Sequence, residues 1–354
     1  MKLFVNARFL TQPVTGVQRY AIECCLQIQR MLPDTVFLTP AEVLHTDIAQ
    51  ILNAQVVKGL KGHLWEQWTL PRFLKKQGNP LLLNLANTAP IGYNNNLITI
   101  HDIAYLLHPE WNSKTFAAWY NFMIPKIAAN AKHIFTVSGT VKSELVKYLK
   151  VNSNTVSVTC NGLGGIFTSY EPSKKYGKEK IILAVGTINQ RKNQKTLIEA
   201  FLKSDLATEW KLMLYGNKSS LFSDTGIDFN ELQKHNIQFV EQFSDSDLVE
   251  AYSKAAVVAS LSLYEGFGIP ILEGMNFGCK IICSDILVYR ELFDGFADFC
   301  NISSVEKVVE QLNRLKSVDL EATQDYKSII QKYTFGRAAK VVIESIKTID
   351  NRAR

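Results

Sequence analysis

The run from Ser262 to Glu273, SLYEGFGIPILE, holds two carboxylates, two glycines and a proline at spacings that suit a binding loop. Pro270 fits the first turn of a helix, which leaves Glu265 on the preceding loop and puts Glu273 on the helix. Gly266 and Gly268 leave backbone N–H groups unshielded at that helix start, where they and the helix dipole favour an electron-rich ligand. A glycine-rich turn with two solvated glutamates is the plain alternative. A second constellation is Arg191-Lys192, placed after the apolar run Ile181–Val185 and before a helical stretch. There an arginine fork and a lysine point charge can neutralise a diphosphate; two exposed cations at a helix start would be opposed by its dipole. Gly16 lies where a first strand passes into a helix, the place where nucleotide-binding sheets hold phosphates, or it is a simple helix-start glycine. His101 and Asp102 close a strand at the carboxyl end of a sheet. The histidine could equally serve as a hydrogen-bonded structural residue, and Asp102 as the cap of the next turn.

The elements that would position these residues alternate in the manner of an α/β protein. Short apolar runs at 2–6, 36–38, 81–85, 97–100 and 133–137 are separated by helical stretches such as 113–130 and 140–150, which argues a parallel sheet. A second set follows at 181–186, 210–216, 237–240 and 255–261. Between the two sets, Tyr170–Lys180 is polar and turn-rich and reads as a linker. Ser138 follows a strand and precedes a helix, where it suits the N-cap or a place beside a ligand at the sheet's carboxyl end. Asp245 and Asp247 stand as an Asp-x-Asp pair, but they open the helix expected at 248–255, where acids cap and complement the dipole; a metal site is rejected. The segment Leu64–Lys76 interleaves aromatics with cations, and packing on a sheet is preferred to an interfacial membrane helix.

Composition narrows the class. A chain of 354 residues, 47% hydrophobic, can build two domains with separate cores. Residues 1–170 carry 15 basic and 8 acidic side chains, a net of +7, while the remainder carries 24 and 25. The basic half suits anionic lipid, a pyrophosphate carrier or an acidic polymer, or is an ordinary solvated surface. The six cysteines show no disulfide or metal framework, so reduced core thiols in a cytoplasmic protein are expected. No apolar run approaches the roughly 20 residues of a membrane span, so any membrane contact is expected to be peripheral.

The string E-G-F-G-x-P-x-x-E at Glu265–Glu273 resembles retaining glycosyltransferase family 4, in its bacterial O-antigen and capsule mannosyltransferase-like branch. R-F-L-x-x-P-x-T-G-V-x-R-Y from Arg8, the His101-Asp102 pair, Arg191-Lys192-Asn193 and the loop Asn161–Phe167 extend the resemblance over nearly the whole chain. It implies a GT-B fold, two doubly wound Rossmann-like domains facing a central cleft. The first would span 1–170, bind the acceptor and receive the C-terminal helix 335–354; the second, 178–333, would bind the nucleotide sugar. The implied reaction is retaining, metal-independent transfer of a hexose from a nucleotide diphosphate sugar, GDP-mannose first among candidates, to a glycan or lipid-linked glycan, with no cofactor and no nucleic-acid partner. Glu265, His101 and Asp102 would flank the reacting groups. Gly16, Arg191, Lys192, Gly266, Phe267 and Gly268 would hold the diphosphate, and Glu273 the ribose. Departures from the family pattern are Thr187 in place of an arginine, Gly274 in place of an alanine and Lys280 in place of a proline. A non-catalytic binding module and a GT-B epimerase are the alternatives.

Overall fold

The computed structural model describes residues 2–169, 177–217, 235–320 and 324–353; residues 170–176 of the expected linker lie outside the described residues. The chain divides into two compact units. Met1–Pro109, Lys114–Gly162 and Tyr333–Arg354 form the first, and Leu163–Lys332 with Glu110–Ser113 the second.

The first unit is built on seven strands, β1 (Leu3–Asn6), β2 (Val36–Thr39), β3 (Gln55–Val56), β4 (Leu81–Asn84), β5 (Asn96–Thr99), β6 (His133–Thr136) and β7 (Val156–Val158). Their order is β3-β2-β1-β4-β5-β6-β7 and every pairing is parallel. β1, β4 and β5 are buried along their whole length, which is why they read as continuous rather than alternating apolar runs. Strand order reverses between β1 and β4, so the carboxyl ends of these two strands make a topological switch point. The helix Gly16–Met31 buries Tyr20, Ala21, Cys24, Cys25 and Ile28 at helical spacing and packs against the terminal helix Phe335–Ala353. Gly162 permits the chain to pass beside that helix's start, since a Cβ there would stand 2.4 Å from the Phe335 nitrogen. Ser138 caps the helix Gly139–Leu149 by accepting the Val141 N–H at 3.2 Å.

The aromatic-cationic segment forms one helical run with an unusual middle: Gly62–Leu64 and Leu70–Lys76 are α-helical, and Trp65–Thr69 is a π turn. Pro71 accounts for this. It has no N–H for the Gln67 carbonyl and its ring crowds that oxygen, so the preceding turn widens and Leu70 N–H reaches back to the Trp65 carbonyl. Trp65, Leu70 and Leu74 pack on Phe4, Leu38 and Leu82, while Leu64 and Trp68 are exposed. The wider turn also carries Glu66 inward, where it is buried.

The second unit holds β8 (Glu179–Val185), β9 (Lys211–Tyr215), β10 (Ile237–Val240), β11 (Ala255–Ser260), β12 (Lys280–Ser284) and β13 (Asp298–Cys300) in the order β10-β9-β8-β11-β12-β13, all parallel. Its core joins Ile182, Leu212, Val257 and Ile282 of the sheet to Leu197 and Phe201 of the helix Gln194–Lys203, each such side chain contributing about 1.5–3 kcal/mol by burial. The helix expected from Leu248 begins earlier, at Asp245, because Ser244 and Asp247 cap it reciprocally: Ser244 N–H donates to Asp247 Oδ2 at 2.8 Å, and Asp247 N–H to Ser244 Oγ at 3.1 Å. Gly274 is required by packing, for a Cβ would stand 2.6 Å from Val258 Cγ2 on β11. No helix among the described residues is long and apolar enough to cross a membrane.

Candidate active site

In the second unit the carboxyl ends of β8 and β11, the switch point of that sheet, carry the loops that the sequence singles out. After β8 the chain turns at Gly186 (φ +140°), and Asn193, itself left-handed at φ +55°, precedes the helix Gln194–Lys203. Asn189 Oδ1 accepts the Lys192 N–H at 2.9 Å, which sets the direction in which Lys192 leaves the loop. After β11, the Leu263 N–H donates to the Arg191 carbonyl at 2.8 Å, so the cationic loop and the glutamate loop are tied by backbone.

Lys192 Nζ and Glu265 Oε1 form an ion pair at 2.5 Å, and Ser262 Oγ donates to the same oxygen at 2.8 Å. Burial by itself would raise the Glu265 pKa, but the charges of Lys192 and Arg191 and the two hydrogen bonds outweigh it and hold the carboxyl below its ordinary value. Glu265 is therefore an anion at neutral pH although it is only 8% exposed. Gly268, at φ +115°, opens the helix Ile269–Asn276; a Cβ there would lie 2.8 Å from Tyr289 Cε1, so both conformation and space demand glycine. Phe267 is buried edge-on against Phe293, 6.1 Å between centroids. Glu273 is buried one turn further along, and its Oε2 accepts the Tyr252 hydroxyl at 2.7 Å. The second unit thus gathers one cation pair, one helix N-terminus and two fixed carboxylates, groups whose chemistry suits phosphates and hydroxyls.

The remaining sequence candidates belong to the first unit. Gly16 is exposed as the first residue of its helix. His101 lies beyond the end of β5, which stops at Thr99 rather than running to residue 100 as expected. It is buried, its N–H donates to Asn87 Oδ1 at 2.8 Å, and its ring meets Tyr20 edge-on at 4.7 Å. Nε2 donates to the Leu85 carbonyl at 2.9 Å, which fixes the tautomer and leaves the Nδ1 lone pair as an acceptor. Burial depresses its pKa against the opposing pull of that carbonyl and of Asp102. Asp102 Oδ1 accepts the Ala104 N–H at 3.1 Å, at the first residue of the short helix Ala104–Leu107, whose N-cap position is Ile103.

Sequence reasoning missed three side chains that hold others in place. Ser262 lies in the singled-out run yet drew no role; Tyr252 sits on the capped helix, distant in sequence from the Glu273 it bonds; Glu66 pairs with Arg8 at 3.3 Å. The last left one trace, a lone acid in the aromatic-cationic segment Leu64–Lys76.

Two open parallel sheets, one of them with cations and a glycine-opened helix at its switch point, define an α/β protein of the nucleotide-binding kind. Residues 167–332 match the model of Glycosyl transferases group 1, so the second unit is a group 1 glycosyltransferase domain and the protein is a glycosyltransferase. Across 96% of this chain and 98% of its own length, the O-antigen chain mannosyltransferase RfbU of Salmonella typhimurium is 26% identical. Among solved structures, Anabaena HepE in complex with UDP and glucose is similar at a TM-score of 0.72 and 15% identity, covering 98% of this chain and 99% of that one. WaaG, a glycosyltransferase involved in lipopolysaccharide biosynthesis, is similar at 0.69 and 13% identity, covering 99% of each chain. These neighbours share the GT-B fold.

Proposed function

We propose that the enzyme transfers a hexose, mannose in the first instance, from a nucleoside diphosphate sugar to a growing bacterial surface glycan of the O-antigen kind, with retention and without a metal. The observation that carries this reading is the Lys192–Glu265 pair set against the Gly268-opened helix. Breaking the anomeric bond adds a negative charge to the departing diphosphate and leaves an oxocarbenium-like sugar, so fixed donors matter more than a base. Arg191, Lys192 and the amides of Gly266, Phe267 and Gly268 supply those donors to the leaving group. Lys192 keeps two N–H groups for phosphate beyond the one it gives Glu265. Glu265, held as an anion, orients the sugar hydroxyls and faces the developing positive charge; Glu273, oriented by Tyr252, takes the ribose. His101 and Asp102 serve the acceptor side, and incoming and departing oxygens use one face of the sugar. Similarity to an O-antigen mannosyltransferase over nearly the full chain supports GDP-mannose as donor and a lipid-linked glycan, met at the cytoplasmic membrane surface, as acceptor.

The test is thermal unfolding with GDP, UDP, dTDP and ADP, each in the presence of a chelator. A ligand at 100 times its dissociation constant stabilises by about 2.7 kcal/mol. A raised midpoint with GDP alone supports the proposal; a response to UDP or dTDP alone replaces mannose by another sugar, and no response to any nucleotide sinks the donor site.

A further inference from the structure

β11 leaves the second sheet at Ser260, whose partner on β12 is Cys283, the last pair of that ladder. Two residues further on the chain is held again. Ser284 Oγ, buried at the end of β12, donates to the Ser262 carbonyl at 2.5 Å, with the Ser260 carbonyl farther off at 3.3 Å. The Leu263 N–H donates to the Arg191 carbonyl at 2.8 Å. Both bonds belong to one peptide group, the one that joins Ser262 to Leu263. In a trans peptide the C=O and N–H point to opposite sides, and β11 lies between β8 and β12. The group is therefore clamped between β12 and the loop that follows β8. A peptide plane fixed at both ends sets the direction in which Ser262 leaves the backbone. Ser262 Oγ donates to Glu265 Oε1 at 2.8 Å, the same oxygen that Lys192 holds.

The cation loop has pins of its own. Gly186 N–H donates to the Tyr215 carbonyl at 2.8 Å and Ile188 N–H to the Asn217 carbonyl at 3.0 Å. Lys192 N–H donates to Asn189 Oδ1 at 2.9 Å, and Gln194 Nε2 to the Thr187 carbonyl at 3.2 Å. None of these bonds involves residues 261–266, so release of the Ser262 carbonyl loosens the glutamate loop and leaves the cations in place. We propose that Ser284 is a positioning residue for Glu265, acting through the Ser262–Leu263 peptide and the Ser262 hydroxyl, and that it serves the step at the sugar rather than the binding of phosphate. The second half rests on the role proposed above for Glu265; the clamp itself does not. A hydroxyl that merely satisfied a buried carbonyl would stabilise the unit without separating the two loops.

The experiment compares the full native chain with Ser284→Ala, Ser284→Cys, Ser262→Ala, the double variant Ser262→Ala/Ser284→Ala and Glu265→Gln, all well below the lowest unfolding midpoint among them. Hydrogen exchange needs no ligand and reads the clamp directly. In Ser284→Ala the Leu263 amide is expected to exchange about 10-fold faster, the worth of one hydrogen bond, while the amides of residues 187–193 change by less than about 2-fold. Ser284→Cys keeps a weak donor and falls between; should Ser284→Ala fail to fold, the thiol variant carries the same comparison. Release of GDP from GDP-mannose reads the consequence: in Ser284→Ala, kcat falls about 10-fold, KM moves by less than about 3-fold, and the double variant is no slower than Ser262→Ala. Unchanged exchange at Leu263, equal acceleration in both loops, a loss in KM rather than kcat, or additive losses in the double variant overturns the proposal. If the native chain releases no GDP, or Glu265→Gln releases it at the full rate, the donor reading fails and the exchange result still decides the clamp.

Discussion

Lys192 and Ser262 converge on one oxygen of Glu265, and that convergence gives the site a sign that can be measured. Replacing Glu265 by alanine would strand a nearly buried ammonium, a loss of about 3–5 kcal/mol that confuses folding with catalysis. Glutamine keeps the shape and removes the charge. Glu265→Gln is therefore expected to lower the transfer rate by about 100-fold, as for other lost transition-state interactions, yet to bind the nucleoside diphosphate more tightly, because Lys192 no longer faces a counter-charge. Titration calorimetry and a transfer assay check both halves; weaker diphosphate binding in the variant would refute the pairing of roles. The pH dependence follows the same charge. A carboxyl whose folded pKa lies below its ordinary 4.5 adds stability that is complete above 4.5 and is lost as pH falls through the folded value. Urea unfolding below about pH 4.5 should show a shallower acid loss in Glu265→Gln than in the native chain. The loops that bring Lys192 to Glu265 were legible in the sequence because glycines and a proline mark them locally. Glu66 was not, since its partners Asn6 and Arg8 lie about 60 residues away and only the sheet brings them together.

Among the elements, the helix Ile269–Asn276 depends on a backbone turn that no side chain tolerates. Gly268 combines φ +115° with a Cβ position 2.8 Å from Tyr289, and Tyr289 is itself pinned by a 2.7 Å hydrogen bond between its hydroxyl and Ser260 Oγ. Gly268→Ala should therefore cost about 2–4 kcal/mol, strain and overpacking together, and should abolish nucleotide binding before it abolishes folding. Denaturant unfolding with a parallel binding titration reads this; a variant that binds normally would show that the helix start is not part of the site. Both parallel sheets were legible, since strands buried on two faces read as unbroken apolar runs between helical stretches. The π turn was not. Proline inside a helical pattern signals a break, but a break can end, kink or widen the turn ahead of it, and the partners that the widened turn brings to Glu66, namely Arg8, Asn6 and Thr88, are distant in sequence.

For the molecule as a whole, each unit closes its own core, and the first needs the end of the chain to do so. The terminal helix buries Ala338, Ala339, Val342, Ile343 and Ile346, and it packs on the helix that carries Cys24 and Cys25. All six cysteines are free thiols, and all but Cys160 are buried, so they report unfolding of each unit separately. Val342, fully buried, is the place to test this. An unpaired carboxylate there should cost on the order of 4 kcal/mol or more, comparable to the stability of a typical domain. In Val342→Asp, Cys24 and Cys25 should react with a thiol reagent at a rate approaching that of Cys160, while Cys279, Cys283 and Cys300 of the second unit stay protected; peptide mass spectrometry assigns each site. If instead all five buried thiols became reactive together, the two units would fold as one cooperative body. Substitutions in either unit would then act on the stability of both.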